Sequence, residues 1–388
     1  MKLLRLSIPV LLLSACVNSA TVSASKATEA PAFEPPSNSA AMKTSKPLGT
    51  VQGKLIELKS EPYALSDFTQ AVDYADELDS YSLLIWHKGA LRVEQYYDGF
   101  DASLRPETAS MHKSVLGLLI AAAIEDGFID SVDSRIGDYI DAWKDLPEGD
   151  ITVRELLTMS SGLESLSREG GFNSDAMKFF TGRLDARAAV LGLRLKNEAG
   201  ENFSYANTNS QLLALVLEGA TKQPYASYLS QRLWQPLGAD DASVWYFEED
   251  GFPRTFASLL ARSRDWMKVG LLFKEQGKYQ NKQIISSELM TEVTNPSKNN
   301  QNYGWQVWLG NVHETTRYYN SQKVGIGVPF SKAFSVDDMI DFDGFGGQRV
   351  YISKSADLVI VRTGDTRLDW DDSTLPNMVL DILKRNQY

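Results

Sequence analysis

The sequence predicts an α/β (α+β) fold, an antiparallel sheet flanked by helices, on three observations. Two aromatic-rich apolar runs, Tyr81–Trp86 and Leu91–Tyr97, are joined by His87-Lys-Gly-Ala90 and read as a β-hairpin. Near the other end, Tyr351–Ser353 and Leu358–Arg362 read as paired strands. Between them lie segments with helical spacing and helix-capping residues. With 388 residues, 43% of them hydrophobic, the chain can bury a large core, and a net charge of -11 argues against nucleic acid as a partner.

Taken in order, residues 1–15 carry Lys2 and Arg5 and then an apolar run from Ile8 to Leu13, the pattern of a secretory signal too short to span a bilayer. It ends Leu13-Ser14-Ala15-Cys16, which resembles the bacterial lipobox. That resemblance implies lipidation of Cys16 and export. Val17 after it favours the outer membrane, facing the periplasm. Cys16 is the single cysteine of the chain, so no intrachain disulfide is expected. Residues 16–60 are rich in Ser, Ala, Thr, Pro and Lys and read as a flexible tether. The globular domain is expected over 61–388. Phe68, Val72, Ala75 and Leu78 open it with helical spacing, followed by the hairpin.

Residues 106–127 read as a helix, with Thr108 placed to cap it and Gly127 where a left-handed residue ends it. From Val115 to Ile124 it is apolar or small on every side, so burial on all faces is expected. Ser110 and Lys113, three apart, share a face. An ammonium in that wall is costly, so burial lowers its pKa. A neutral amine beside a hydroxyl is a base beside a nucleophile, and the helix start offers N–H groups to an oxyanion. This is the S-x-x-K arrangement of serine-lysine acyl-transfer enzymes. Ser23 and Lys26 match the same spacing in a polar tail, so the rest of the chain has to decide.

Three further runs supply a resemblance. Ile151-Thr-Val-Arg-Glu-Leu-Leu-Thr-Met-Ser-Ser-Gly-Leu163 reads as a short helix capped by Thr152 and ending near Gly162. Tyr205-Ala-Asn207 precedes an apolar helix that Asn207 or Asn209 could cap. Phe342-Asp343-Gly344-Phe345-Gly346-Gly347-Gln348 is a glycine-rich turn before the strand that ends at Ser353. Their order resembles the serine β-lactamase-related family of class C β-lactamases, D-Ala-D-Ala carboxypeptidases, esterases and 6-aminohexanoate-dimer hydrolases. The Gly-x-x-Gly-Gln pattern, 344–348, is similar to the 6-aminohexanoate-dimer hydrolase branch. The resemblance implies a β-lactamase/DD-peptidase-like fold with a helical lobe, about 125–300, inserted into the sheet lobe.

It also implies roles. Ser110, Lys113 and Tyr205 would be catalytic, Asn207 would hold the lysine or the substrate amide, and Gly344 would let substrate backbone approach. The amide of Phe345 would join that of Ser110 as the oxyanion hole. A positive lysine would lower the Tyr205 pKa so that the phenol relays a proton. Where the family's Lys-Thr-Gly stands, this chain has Phe342 and Asp343. A carboxylate there would repel a substrate carboxylate, which argues against penicillins and favours a neutral or amine-bearing ester or amide. A β-lactamase or carboxypeptidase, and a non-catalytic lipoprotein that binds peptidoglycan or a partner, stand as alternatives. Tyr303–Trp308 alternates like a strand, and Asp369, Asp371 and Asp372 read as solvated or capping. His87, His112 and His313 form no ligand motif, so neither zinc nor another cofactor is expected. The small-molecule substrate and an N-terminal lipid in the membrane are the partners foreseen.

Overall fold

A computed structural model describes residues 48–247 and 250–388. The signal, Cys16 and most of the expected tether lie outside the described residues. Residues 48–60 do not belong to that tether. Leu48–Val51 (β1) pairs with Ala242–Trp245 (β4), and the Lys54 and Ile56 amides donate to the carbonyls of Ala239 and Gly238. No helix among the described residues is long and apolar enough to cross a membrane.

Thr69–Glu77 (α1) leads into the hairpin of Ser80–His87 (β2) and Ala90–Tyr96 (β3). Lys88 and Gly89 turn it with φ of 45° and 80°, the left-handed pair a tight hairpin requires. His112–Glu125 (α2) follows a single 3-10 turn at Ala109–Met111. Val153–Leu157 (α3) is shorter than the expected run to Gly162, and Thr152 and Glu155 close its start with a reciprocal capping box. Asn207–Thr221 (α4) packs on α2 within the helical lobe. Leu259–Leu260 (β5) completes a small sheet with β1 and β4. Ser263–Lys274 (α5) then crosses the main sheet.

The chain returns to that sheet with Trp308–Leu309 (β6), Ile340–Gly344 (β9), Gln348–Ser353 (β10) and Leu358–Gly364 (β11). The order is β3-β2-β11-β10-β9-β6, antiparallel throughout. Side chains alternate between its faces. Leu83, Ile85 and Ile360 pack against α1 and the C-terminal helix Thr374–Arg385 (α6). Leu84, Val359 and Val361 point the other way, into the larger core with α2 and α5. Both faces are covered, which is why these strands read as near-continuous apolar runs.

Helix α2 is buried from His112 to Ala123, as its composition requires. Gly117 is the point of closest approach, where a Cβ would lie 2.5 Å from the Trp305 carbonyl oxygen. The Tyr303–Trp308 strand is not formed. Gln306 has φ of 61° and folds the segment into a tight turn, so only Trp308 and Leu309 reach the sheet. Between β6 and β9 the chain makes a separate hairpin, Thr316–Tyr318 (β7) with Gly327–Pro329 (β8). It spans from the helical lobe, where the Tyr205 amide donates to Tyr319, to the sheet lobe, where Asp372 donates to Pro329.

Candidate active site

Ser110 stands on the 3-10 turn that starts α2, after Ala109, whose φ of 49° is unusual for a residue with a side chain. The turn is held by Glu107, whose Oε1 accepts from the Ala109 amide at 2.7 Å and the Ser258 amide at 3.0 Å. Thr108 makes no side-chain cap. Its hydroxyl faces the Leu259 carbonyl instead, so the preceding carboxylate does the work expected of the threonine.

Lys113, one turn on, is 1% exposed. Its Nζ lies 3.0 Å from Ser110 Oγ, 2.9 Å from Asn207 Oδ1 and 2.7 Å from the Phe256 carbonyl oxygen. Burial pulls its pKa well below the usual lysine value, and the charge of Asp343 opposes this without reversing it. A neutral amine has two N–H groups and one lone pair. Asn207 Oδ1 and the Phe256 carbonyl accept only, so they take both N–H groups and leave the lone pair for the Ser110 hydroxyl.

Tyr205 is brought to the same place. Lys113 Nζ lies 4.9 Å from its ring centroid, and its hydroxyl is near enough to that of Ser110 to act on it. Its pKa moves opposite to the sequence expectation. Burial, then the charge of Asp343, push the phenol above its ordinary value, against the opposing pull of the Ser110 hydroxyl, Arg317 and Arg349. Neither Asn207 nor Asn209 caps α4. Asn207 points at the lysine, and Asn209 Oδ1 accepts from the Ser161 hydroxyl at 2.9 Å.

Gly344 ends β9 directly against the turn that carries Ser110. A Cβ there would lie 2.2 Å from the Thr108 carbonyl oxygen and 2.6 Å from Gln348 Cβ. Close approach of protein to protein therefore already demands glycine here. Gly344→Ala should displace the turn and cost about 1–3 kcal/mol, read as a lower thermal midpoint. An unchanged midpoint would mean that strand and turn are not in contact. Phe345 follows at the strand end, and Gly346 and Gly347 turn the chain with φ of 77° and 87°. Gln348 clamps this end, its Nε2 donating to the Gly364 carbonyl at 2.7 Å and its Oε1 accepting the Gly364 amide at 3.0 Å.

Asp343 does not lie open to a substrate. Its Oδ2 accepts from the Tyr319 hydroxyl at 2.8 Å and Arg317 Nη1 at 3.0 Å, and its Oδ1 pairs with Arg349 Nη1 at 2.6 Å. These arginines hold its carboxyl down at about 2 against burial. Asp372 is buried with them, bound by both guanidinium groups, so it is neither solvated nor a cap. Asp371 does cap, accepting from the Ser373 and Thr374 amides, and Asp369 pairs with Arg367.

Several residues that build the site escaped the sequence reading. The Phe256 carbonyl is backbone and leaves no signal. His112 fixes the loop that carries it. Its Nδ1 lies 2.7 Å from the Ala257 carbonyl oxygen, its Nε2 2.8 Å from the Tyr225 hydroxyl, and burial draws its pKa down to about 4. Arg317, Tyr319 and Arg349 were also missed. Only Arg349 had a readable sign: Asp341 and Asp343 stand two apart on one strand, and Arg349 is the direct cross-strand partner of Asp343.

Comparison with known proteins agrees with this architecture. The family model described as Beta-lactamase matches residues 68–367. Protein flp of Staphylococcus aureus (strain MW2) is 32% identical over 136 residues, 34% of this chain and 26% of that protein. The match thus spans about a quarter of that relative's length. The 6-aminohexanoate-dimer hydrolase of Paenarthrobacter ureafaciens is 23% identical over 231 residues, 55% of this chain and 56% of that one. A solved structure from Bacillus anthracis, provisionally described as a 6-aminohexanoate-dimer hydrolase, superposes with a TM-score of 0.72 at 22% identity, covering 89% of this chain and 92% of that one. The last two likenesses fit the branch that the Gly-x-x-Gly-Gln pattern resembles.

Proposed function

The chain belongs to the beta-lactamase family of hydrolases, and we propose that it is a serine hydrolase cleaving an ester or amide bond through an acyl-enzyme on Ser110. The observation that carries this reading is the meeting of Ser110, Lys113 and Tyr205 from two separate helix starts, with Lys113 Nζ 3.0 Å from Ser110 Oγ and 4.9 Å from the centre of the Tyr205 ring.

Lys113, neutral and with both N–H groups engaged, takes the Ser110 proton through its lone pair as the oxygen attacks the acyl carbon. The new ammonium finds Asn207 Oδ1 and the Phe256 carbonyl already aimed at it, with the anionic Asp343 nearby. The amides of Ser110 and Phe345 would hold the oxyanion. Tyr205, a neutral phenol beside Ser110, gives its proton to the leaving group and recovers one from Lys113. Water then cleaves the acyl-enzyme with Lys113 again as base. The two pKa directions favour the lysine rather than the tyrosine as the acylation base.

The reading fixes a pH profile. Activity requires Lys113 deprotonated, so kcat/KM rises with pH through the lysine's lowered pKa. It requires Tyr205 protonated, and that pKa is raised, so the alkaline limb is displaced beyond pH 10. A plateau reaching about pH 10 is therefore expected for p-nitrophenyl butyrate. Tyr205→Phe should lower kcat by about 10²–10⁴-fold with little change in KM. A wild-type profile falling between pH 8 and 9, or a Tyr205→Phe variant at full rate, would remove the tyrosine from the mechanism. Nitrocefin turned over as fast as the simple ester would move the protein to the β-lactamases proper.

A further inference from the structure

A narrow recess of about 30 Å³ lies at the end of β9, and Tyr319, Val328, Asp343, Phe345, Gly346 and Arg349 line it. It abuts Phe345, whose amide is the expected oxyanion donor, and Asp343 on its wall is near enough for its charge to act on Lys113 and Tyr205. The charge on that wall is set by a buried cluster. Arg349 pairs with Asp343 across the sheet, and both arginines bind Asp372 at 2.7 Å. Asp341 stands further off, 3.9 Å from Arg317 and 3.8 Å from Arg349, and burial pushes its carboxyl well up. At 3.0 Å or less, then, two guanidinium groups face two carboxylates, Asp343 and Asp372. Arg367 also lines the recess, but Asp79 and Asp369 each pair with it.

Arg349 alone would leave this cluster one negative charge in excess. The second cation comes from outside the main sheet, on the β7–β8 hairpin, where Arg317 reaches back to Asp343 and Asp372. We propose that Arg317 determines substrate charge: by masking Asp343 it makes the wall facing the acyl group neutral, so the enzyme accepts uncharged acyl groups and turns away those ending in an anion or a cation. This rests on the serine hydrolase reading above.

The test compares kcat/KM for three p-nitrophenyl esters of nearly equal shape: 5,5-dimethylhexanoate, 4-sulfobutyrate and 4-trimethylammoniobutyrate. The wild type should prefer the neutral ester. Arg317→Gln unmasks Asp343 and should raise the cationic-to-neutral ratio about tenfold, while Asp343→Asn leaves a guanidinium in excess and should raise the anionic-to-neutral ratio by about the same factor. The double variant should return both ratios to near the wild-type values. A wild type that favours either charged ester tenfold overturns the proposal, and that arm needs no variant to fold. So do folded single variants, checked by thermal unfolding, whose ratios do not move. If none of the three esters is cleaved and a fluorophosphonate fails to label Ser110, the hydrolase reading itself has failed instead.

Discussion

Ser110→Ala should reduce hydrolysis of p-nitrophenyl butyrate by about 10⁴–10⁶-fold and abolish labelling by a fluorophosphonate. The size follows from what the substitution removes and what it leaves. The acyl-enzyme route is lost entirely, because Ser110 supplies the one hydroxyl hydrogen-bonded to the Lys113 amine, whose other partners are Asn207 Oδ1 and the Phe256 carbonyl. The oxyanion donors and the cleft remain, so a residual rate above that of water is expected. The fold should survive, since Ser110 sits at a helix start and its hydroxyl supports no distant segment. A mass spectrum of the wild type quenched during turnover should carry one acyl group on the peptide containing Ser110, and the variant should carry none. Unchanged turnover in Ser110→Ala would end the serine hydrolase reading, whatever the family.

How far the sequence could be read follows from where each group comes from. Ser110 and Lys113 were legible because a helix places positions three apart side by side, and because the apolar wall beyond them leaves a lysine no route to water. The hairpin and the paired strands were legible from apolar runs bounded by turn residues. Tyr205 and Asn207 were legible only through motif order, since nothing local says that a helix start at 207 faces one at 112. What failed was neighbour-by-neighbour electrostatics. The lowered tyrosine pKa assumed a charged lysine beside it, whereas burial dominates both groups and pushes them in opposite directions. Asp343 was read as an open charge because its two arginine partners sit on other strands. The Arg317 hairpin has only three-residue strands, too short to show a period.

The hairpin also explains why the site stays assembled. Its β7 end is bonded to residues 203–205 of the helical lobe, and its Arg317 and Tyr319 side chains grip Asp343 and Asp372 of the sheet lobe. Tyr205 stands between, with the rings of Tyr319, Trp308 and Tyr303 at 5.2, 6.0 and 6.1 Å. The phenol is therefore positioned by packing on three sides. That rigidity is what a proton relay needs, since misplacement by about 1 Å can cost two orders of magnitude.

Lys113→Met should abolish turnover nearly as completely as loss of the serine, and it should change the pH dependence of stability in a direction that only a neutral lysine explains. The folded state lowers the lysine pKa, so between that lowered value and the ordinary lysine value of 10.5 the unfolded chain binds the proton and the folded one does not. Stability then rises with pH across that window, by about 1.4 kcal/mol per pH unit for one such group. Below the window both states are protonated, and the full penalty of burying the charge is felt. Methionine has nearly the same length and no proton, so the slope disappears in the variant. Subtracting the two stability curves from urea unfolding cancels every other titrating group and isolates the lysine. Methionine also strands Asn207 Oδ1 and the Phe256 carbonyl, at a cost of about 1–3 kcal/mol each. That cost is independent of pH and shifts the difference curve without tilting it. A tilted difference curve ending near pH 10.5, together with lost activity, identifies the amine as a base held neutral by burial. A flat one would mean that Lys113 keeps its proton in the folded protein, and the role of base would pass from it.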